Sequence, residues 1–476
     1  MNIHSSSFAS IFVLSLGLTL LDWLSPQLAA QTIDKPNMVV FISDDLGALD
    51  VEPYGATDVK TPNMAKLAAD GMRFNQAFVA SPSCGPSRTS LLTGLWPARN
   101  GAEPNHRTKR PEVVSLPPVL RQLGYEVVTI GKVAHGNFAK DHGFDQSIGP
   151  NVGIVDMKEV RAFLDARESK KPLCLLVGTR QPHVPWSENE GYEPSSLRLP
   201  PTHIDTEEMR QMRAKYYTDI TKADTLLGEL RQLAQEKISG ETLFVATSDH
   251  GPQLPFGKWN LYDAGMRVPL IAAWSGQVEV GTTSSAMVCW PDLFPTFIEL
   301  AGGQVPSGID GRSFASVLQG KTKTHREQVF ATHSGDGNWN VYPIRCLRTS
   351  EWKYIRNLHP EFQHHTHISR AEGPDGLIYW RSWLAAAEKN PIAAGIVKRC
   401  VERPAEELYD LRSDPFEQNN LAVEPNHSAR LADMRSELDQ WMKSQNDQQV
   451  VYGEPLLIGQ PVTTMTQARN RPPATR

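Results

Sequence analysis

Three short stretches of this chain hold residues whose types and spacing can do chemistry. Asp44 and Asp45 follow the apolar run MVVFIS, and Asp249-His250-Gly251 closes a second apolar run, TLFVATS. Either stretch alone reads as an Asx turn or a helix cap after a strand. Together they can gather three carboxylates around one hard divalent cation, for which Ca²⁺ or Mg²⁺ suits oxygen ligands better than a soft metal. An imidazole is an unusual ligand for such an ion, so His250 is either a ligand or a donor behind the ligands. The third stretch, residues 81–94 (SPSCGPSRTSLLTG), sets a thiol at Cys84 ahead of Pro86, Ser87 and Arg88 in the pattern C-x-P-S-R. At the start of a helix, Cys84 would place a developing anion near free backbone N–H groups, with Arg88 one turn along.

Such groups need strand ends to hold them. From Pro36 onward, short apolar runs (PNMVVFIS, YEVVTIG, KPLCLLVGT, ETLFVATSD, VPLIAAWSG) alternate with amphipathic helical segments. That alternation predicts an α/β fold with a mostly parallel sheet and helices on both faces. In open sheets of this kind, ligands bind where the strands finish. Thr61-Pro62 and Ser115 before LPPVLRQLG read as helix starts, with Gly71 and Gly124 as stops. The stretch Glu207 to Lys237 carries an apolar stripe through Met212, Tyr216, Ile220, Ala223, Leu227 and Leu230, as a sheet-covering helix would.

After about Gln328 the pattern changes. CLRTSEWKYIRNL and EELYDL read as antiparallel strands, and residues 428–443 as an amphipathic closing helix. The expected division is a signal peptide at 1–30, a catalytic domain at 33–340, a smaller α+β subdomain at 341–450, and a loosely ordered tail at 451–476. The cluster His359, His364, His365 and His367 lacks the spacing of a zinc motif and reads as a surface loop.

The C-x-P-S-R pattern with its downstream L-L-T-G resembles the signature of type I sulfatases. The resemblance runs from PNMVVFISDD through SDHG to ELYDLRSDPFEQNNLA. It implies an alkaline-phosphatase-like α/β sandwich with a central mostly parallel sheet, plus a smaller C-terminal α+β domain with an antiparallel sheet. It also implies that a formylglycine-generating enzyme oxidises Cys84 to formylglycine (3-oxoalanine). Asp44, Asp45, Asp249 and His250 match the family's Ca²⁺ ligands, alongside the modified Cys84. Lys132 and His135 in TIGKVAH match a G-K-x-(x)-H element, with Lys132 on sulfate and His135 as base for a hydroxyl at position 84. His183 in TRQPHVPW matches the proton donor to the leaving group, and Lys258 in PFGKWN matches a second lysine on sulfate. A hydrated aldehyde carries two hydroxyls on one carbon: one attacks sulfur, and the other collapses to expel sulfate. His106 and His333, in loops rich in polar and aromatic residues, are read as lining the substrate mouth.

The activity so implied is sulfuric ester hydrolysis on a sulfated sugar or polysaccharide. YPIRCLRTSEWKYIRNLHPE is most similar to the heparan N-sulfatase branch, while GKVAH has the spacing of iduronate-type sulfatases, which leaves N-sulfate cleavage by a sulfamidase open. Two further readings remain. One is a phosphomonoesterase or phosphodiesterase of the alkaline phosphatase superfamily; the other is a non-catalytic calcium- or glycan-binding protein with Cys84 unmodified.

Composition sets outer limits. Across 476 residues, 48 Lys+Arg against 53 Asp+Glu leave a formal charge of -5, which excludes the basic footprint of a nucleic-acid binder. The apolar run from Ile11 to Leu24, followed by SPQLAA, reads as a secretory signal cut near Ala30, with an uncleaved anchor as the alternative. The run is short for a bilayer and Asp22 interrupts it, so the expectation is export to the periplasm or outside, without stable membrane insertion. Of five cysteines, Cys174 and Cys289 sit in apolar runs as core residues, whereas Cys346 and Cys400 could pair.

Overall fold

In the computed structural model, described for residues 35–149, 153–373 and 378–465, the apolar runs become strands. The signal segment expected at 1–30 lies outside the described residues. The strands β1 (Asn37–Ser43), β2 (Met72–Phe78), β3 (Glu126–Gly131), β4 (Gln146–Ile148), β5 (Leu173–Gly178), β6 (Thr242–Ser248), β7 (Leu270–Ala273) and β8 (Thr282–Cys289) build one sheet in the order β4-β3-β5-β1-β6-β7-β2-β8. Only β7 runs antiparallel to its neighbours. The central strands β1 and β5 are buried along their whole length, as strands covered on both faces must be.

Alternate residues of β1 point into two cores. Val39 and Phe41 pack with Tyr216, Ile220, Leu227 and Leu230 of the Glu207–Lys237 helix. Met38, Val40 and Ile42 pack on the other face with Leu91 and Leu92 of the Cys84–Thr93 helix and with Phe294 and Phe297. Each such Leu, Ile or Phe contributes about 1.5–3 kcal/mol by leaving water. The two layers of helix on a parallel sheet are the sandwich the alternation called for.

A second sheet follows: β9 (Gln328–His333), β10 (Ile344–Thr349), β11 (Trp352–Asn357) and β12 (Glu406–Asp410), antiparallel in the order β12-β11-β10-β9. The Ser428–Ser444 helix closes it, setting Leu431, Met434, Leu438 and Met442 against Leu347, Tyr354 and Leu408. This sheet starts at Gln328, ahead of the expected boundary at 341, because β9 pairs with β10 along its full length. The chain from Lys35 onward is also one compact unit rather than two.

Other expectations are corrected here. Residues 451–465 are tied down: Leu457 bridges to Phe362, and the Met465 N–H donates to Arg370 O at 2.8 Å. A polar, Pro-rich segment is held when a neighbouring irregular segment takes its backbone bonds, which composition does not reveal. Residues 466–476 lie outside the described residues. The histidine cluster is not a surface loop. His364 and His365 are buried, with His365 between Ser369 Oγ and Gln363 Oε1 at 3.0 and 2.9 Å. His367 stacks on Trp259, ring centroids 4.8 Å apart, and lies as close to Trp339. All five cysteines are free thiols, Cys346 and Cys400 included. Among the described residues, no helix is long and apolar enough to cross a membrane.

Candidate active site

The register of β1 against β6 builds the site. Ser43 lies opposite Ser248, so Asp44 and Asp249 leave two adjacent strand ends side by side. Asp45 then turns into left-handed backbone, φ 68°, and its N–H donates to Asp249 Oδ1 at 3.0 Å. A short polar side chain tolerates that conformation better than a bulky one. On the other flank, Gly131 of β3 faces Gly178 of β5, and the Lys132 N–H donates to Gly178 O at 2.8 Å. A Cβ at Gly178 would stand 2.0 Å from Lys132 O, so only glycine lets the chain after β3 approach this closely.

The Cys84–Thr93 helix enters beneath these ends with all ten residues buried. Ser87 Oγ donates to Asp249 O at 2.6 Å, and the Gly85 N–H donates to Asn105 Oδ1 at 2.9 Å. Cys84 Sγ is thereby held 3.3 Å from His250 Nε2, 3.6 Å from Asp44 Oδ1 and 3.8 Å from Lys132 Nζ. Arg88 spans two carboxylates, with Nη2 3.1 Å from Asp44 Oδ1 and Nε 2.9 Å from Asp249 Oδ2. Lys132 pairs with Asp44. Lys258 donates to both oxygens of Asp45, at 2.9 and 3.0 Å. His183 Nε2 stands 3.9 Å from Asp45 Oδ2 and keeps 24% of its side chain exposed.

Asp44, Asp45, Cys84 and His250 present ligand atoms that all lie within 4.8 Å of one another. His250 Nδ1 lies 2.9 Å from Gly251 O, which fixes the ring proton on Nδ1 and turns the Nε2 lone pair toward Cys84 and Asp45. That geometry leaves Nε2 available as a ligand. Asp249 stands outside the group of four, since Asp45 N and Arg88 engage its two oxygens. Two or three carboxylate oxygens with one imidazole suit a hard divalent cation.

Burial pushes up every carboxyl here. At Asp44, Lys132 and Arg88 overcome it and hold the group well below its ordinary range. Asp45 is pushed up to about 7, against the pull of Lys258 and with the help of Asp44 and Asp249. Asp249 rises to about 6 despite Arg88. Burial raises the Cys84 thiol well above its usual value although Lys132 and Lys258 pull it down. Burial, with Lys258 next, holds both His183 and His250 neutral.

Nine of the ten expected site residues thus share one contact network. His135 sits at its edge, with Nε2 2.7 Å from His106 Nδ1. His106 keeps 49% of its side chain exposed. His333 is not exposed for such a role: it is buried on β9, bound through Nε2 to Asn340 Oδ1 at 2.6 Å. Sequence reasoning passed over Asn105, Trp259 and Asp336, which bond to one another at this edge. No spacing signals them, because they come from three separate loops.

A sulfatase family model matches residues 36–303, and a model described as the N-sulphoglucosamine sulphohydrolase C-terminal region matches 249–375. An ulvan-active sulfatase of Formosa agariphila is 32% identical over 442 residues, covering 90% of this chain and 84% of that protein. Human N-sulphoglucosamine sulphohydrolase is 26% identical over 475 residues, covering 86% and 90%. A protein solved in complex with D-glucosamine-2-N,6-O-disulfate superposes with a TM-score of 0.66 at 20% identity, over 87% of this chain and 99% of its own. The chain belongs to the sulfatase family. It is an enzyme of the sulfatase class, and its fold is alkaline-phosphatase-like.

Proposed function

We propose that this sulfatase removes sulfate from a sulfated saccharide, using position 84 converted from cysteine to formylglycine and a Ca²⁺ ion held by Asp44, Asp45 and His250 with Asp249 beside them. The observation that carries the reading is the convergence on Cys84 Sγ of His250, Asp44 and Lys132 within 3.8 Å, at the first residue of a buried helix. A buried thiol held protonated by its surroundings is a poor nucleophile, so the arrangement makes sense for a different group at that position. The converted side chain supplies a hydroxyl nucleophile that can regenerate itself, and the cation supplies a fixed positive charge beside the sulfate oxygens.

The chain's own residues do the remainder. Lys132 and Lys258 swing between carboxylate and sulfate, offsetting charge on the transferring group. Arg88 fixes Asp44 and Asp249 in place by two charge-assisted bonds. His183 is neutral at rest, and an anionic sulfate ester beside it favours the protonated ring that can donate to the leaving oxygen. His135 takes a proton from a hydroxyl at position 84.

The named relatives support a sulfated-sugar substrate, since one is ulvan-active and another is an N-sulphoglucosamine sulphohydrolase. The match of residues 249–375 to the latter's C-terminal region favours N-sulfate as the second reading. Export through residues 1–30 belongs to the same proposal, as the route to such polymers. Peptide mass spectrometry across residues 84–94 of protein from its native source should find an aldehyde at 84. Cys84→Ala should abolish turnover of N- and O-sulfated sugars while unfolding at the wild-type temperature. A thiol at 84 in fully active protein overturns the reading.

A further inference from the structure

Three loops meet beside Lys132 and build a chain of polar contacts that the mechanism above does not use. Asp336 Oδ2 accepts from Trp259 Nε1–H at 2.6 Å and from Asn105 Nδ2 at 3.0 Å. Asp336 Oδ1 lies 3.1 Å from His106 Nε2, an ion-pair distance, and has no aligned hydrogen-bond partner among the described residues; Asn105 Nδ2 stands 3.5 Å from the same ring nitrogen. His106 Nδ1 lies 2.7 Å from His135 Nε2. At the far end, His135 Nδ1 is buried without a hydrogen-bond partner among the described residues.

The chain of contacts is held rigidly. His106 sits in left-handed backbone at φ 62°, and Trp259 at φ 66°, conformations that are strained for such residues. Asn105 pins the first loop, taking the Gly85 N–H on Oδ1 and giving its own N–H to Gly335 O at 2.9 Å. Strain maintained by so many bonds marks a geometry that is being kept for a purpose.

We infer that Asp336 and His106 are positioning residues that fix the tautomer of His135, leaving a lone pair on Nδ1, the ring nitrogen without another partner among the described residues, to serve as the base; this rests on the sulfatase mechanism proposed above. A carboxylate only accepts hydrogen bonds, so Asp336 holds the His106 proton on Nε2. Burial opposes charge on the His106 ring while Asp336 draws it upward; in the neutral ring Nδ1 is an acceptor and takes the His135 Nε2–H. His135 Nδ1 is left with its lone pair. Burial, His106 and Lys132 keep the His135 ring neutral at rest, with Asp336 and Asp44 opposing them more weakly. Lys258, Lys132 and His367 are the other charged or titratable groups that act on this chain of contacts. In the step itself, the O–H bond of a hydroxyl at position 84 breaks and an N–H bond forms at His135 Nδ1. The oxygen keeps the electron pair. The imidazolium so formed shares its charge outward through Nε2–H to His106 and Asp336.

Asp336→Asn inverts this logic. Trp259 and Asn105 both donate to the Oδ2 position, so they hold the amide oxygen there and leave the NH₂ facing His106 Nε2. His106 must then carry its proton on Nδ1, and His135 accepts at Nε2 and bears its own proton on Nδ1. A base has become a donor.

The first test uses the folded, unconverted chain with ¹⁵N-labelled histidine, in which long-range ¹⁵N–¹H spectra report each tautomer, His135 being assigned by its loss in His135→Gln. His135 should carry its proton on Nε2 in the wild type and on Nδ1 in Asp336→Asn. The second uses converted enzyme. Asp336→Asn should lower kcat by about 10²- to 10⁴-fold with KM within about threefold. The Asp336→Asn/His106→Ala pair should be no worse than His106→Ala alone, since Asp336 acts only through His106. If Asp336→Asn does not fold, His106→Ala, in a half-exposed loop, serves instead. It should lose about 10- to 100-fold in kcat and show His135 as a mixture of tautomers. An Nδ1 proton on His135 in the wild type, or additive losses in the double variant, overturns the inference. A wild type that turns over no sulfate ester overturns the functional reading instead, and the spectra still decide the tautomer.

Discussion

Two buried charge clusters in this protein are put together in opposite ways. At Asp292, in the turn after β8, one carboxylate takes every available donor. Oδ2 accepts from Cys289 N at 2.9 Å and Arg326 Nε at 2.8 Å, with His325 Nε2 at 3.2 Å, and Oδ1 accepts from Arg312 N at 2.8 Å. Burial would push this carboxyl up, but Arg326 and His325 hold it down at about 2. At the strand ends, three carboxylates crowd one another, and two of them are pushed up to about 7 and 6. The first cluster is complete in itself. The second repels itself, as a site that would be completed by a cation does. The difference separates a clamp from a working site: the clamp ties the end of the large sheet to the segment leading into the smaller one.

Swapping amide for carboxylate tests that contrast most sharply. An amide has one oxygen, so Asp292→Asn must turn its NH₂ either toward Cys289 N–H and Arg326 Nε or toward Arg312 N–H and Arg326 Nη2. The loss should be about 3–5 kcal/mol of stability, read by urea unfolding, with turnover per folded molecule unchanged. Asp45→Asn should do the reverse. Asp45 already resists ionising, and the amide oxygen still accepts from Lys258, so apo stability should move by no more than about 1 kcal/mol while turnover falls by about 10³-fold or more. Equal stability losses at the two positions would erase the distinction.

Metal addition comes next in size. Ca²⁺ at a hundred times its Kd should raise the unfolding free energy by about 2.7 kcal/mol, reversed by chelator and absent in Asp45→Asn. Asp292→Asn should keep that increment in full. The acid response is the smallest effect. The folded-state value of Asp292, about 2, lies below the ordinary 3.8 of a free aspartate, so its contribution is present above pH 4 and is lost as pH falls toward 2. The difference is worth about 2 kcal/mol. Unfolding midpoints at pH 5, 4 and 3 should show this slope, and Asp292→Asn should lack it.

Much of the site was legible because strand ends and side-chain chemistry are local properties. Asp44-Asp45 and Asp249-His250 each follow a run whose burial is written in its composition, and parallel pairing in register does the rest. Cys84 and Arg88 sit on one helix, at a spacing of one turn. Asn105, Trp259 and Asp336 were not legible, since their meeting depends on loops joined by contacts 77 and 231 positions apart. His364 and His365 misled for a related reason. A polar run looks solvated until the structure shows which buried partners satisfy it, here Gln363 and Ser369. The change of pattern at Gln328 was legible, but QVFATH itself was not read as a strand, because it is short and its partner lies beyond a ten-residue loop.

The Cys84–Thr93 helix carries a message about timing. A sulfate group needs only a crevice to reach the first residue of that helix, whereas another enzyme's cleft must grip an unwound segment on both sides of it. All ten residues are buried, and Leu91 and Leu92 belong to the core beneath the large sheet. Offering the segment after folding would mean taking that core apart. If Cys84 is converted as proposed, the enzyme that acts on it would compete with the folding of its substrate, and each copy of the chain would have one interval, between synthesis and closure of the core, in which its lifetime output is decided.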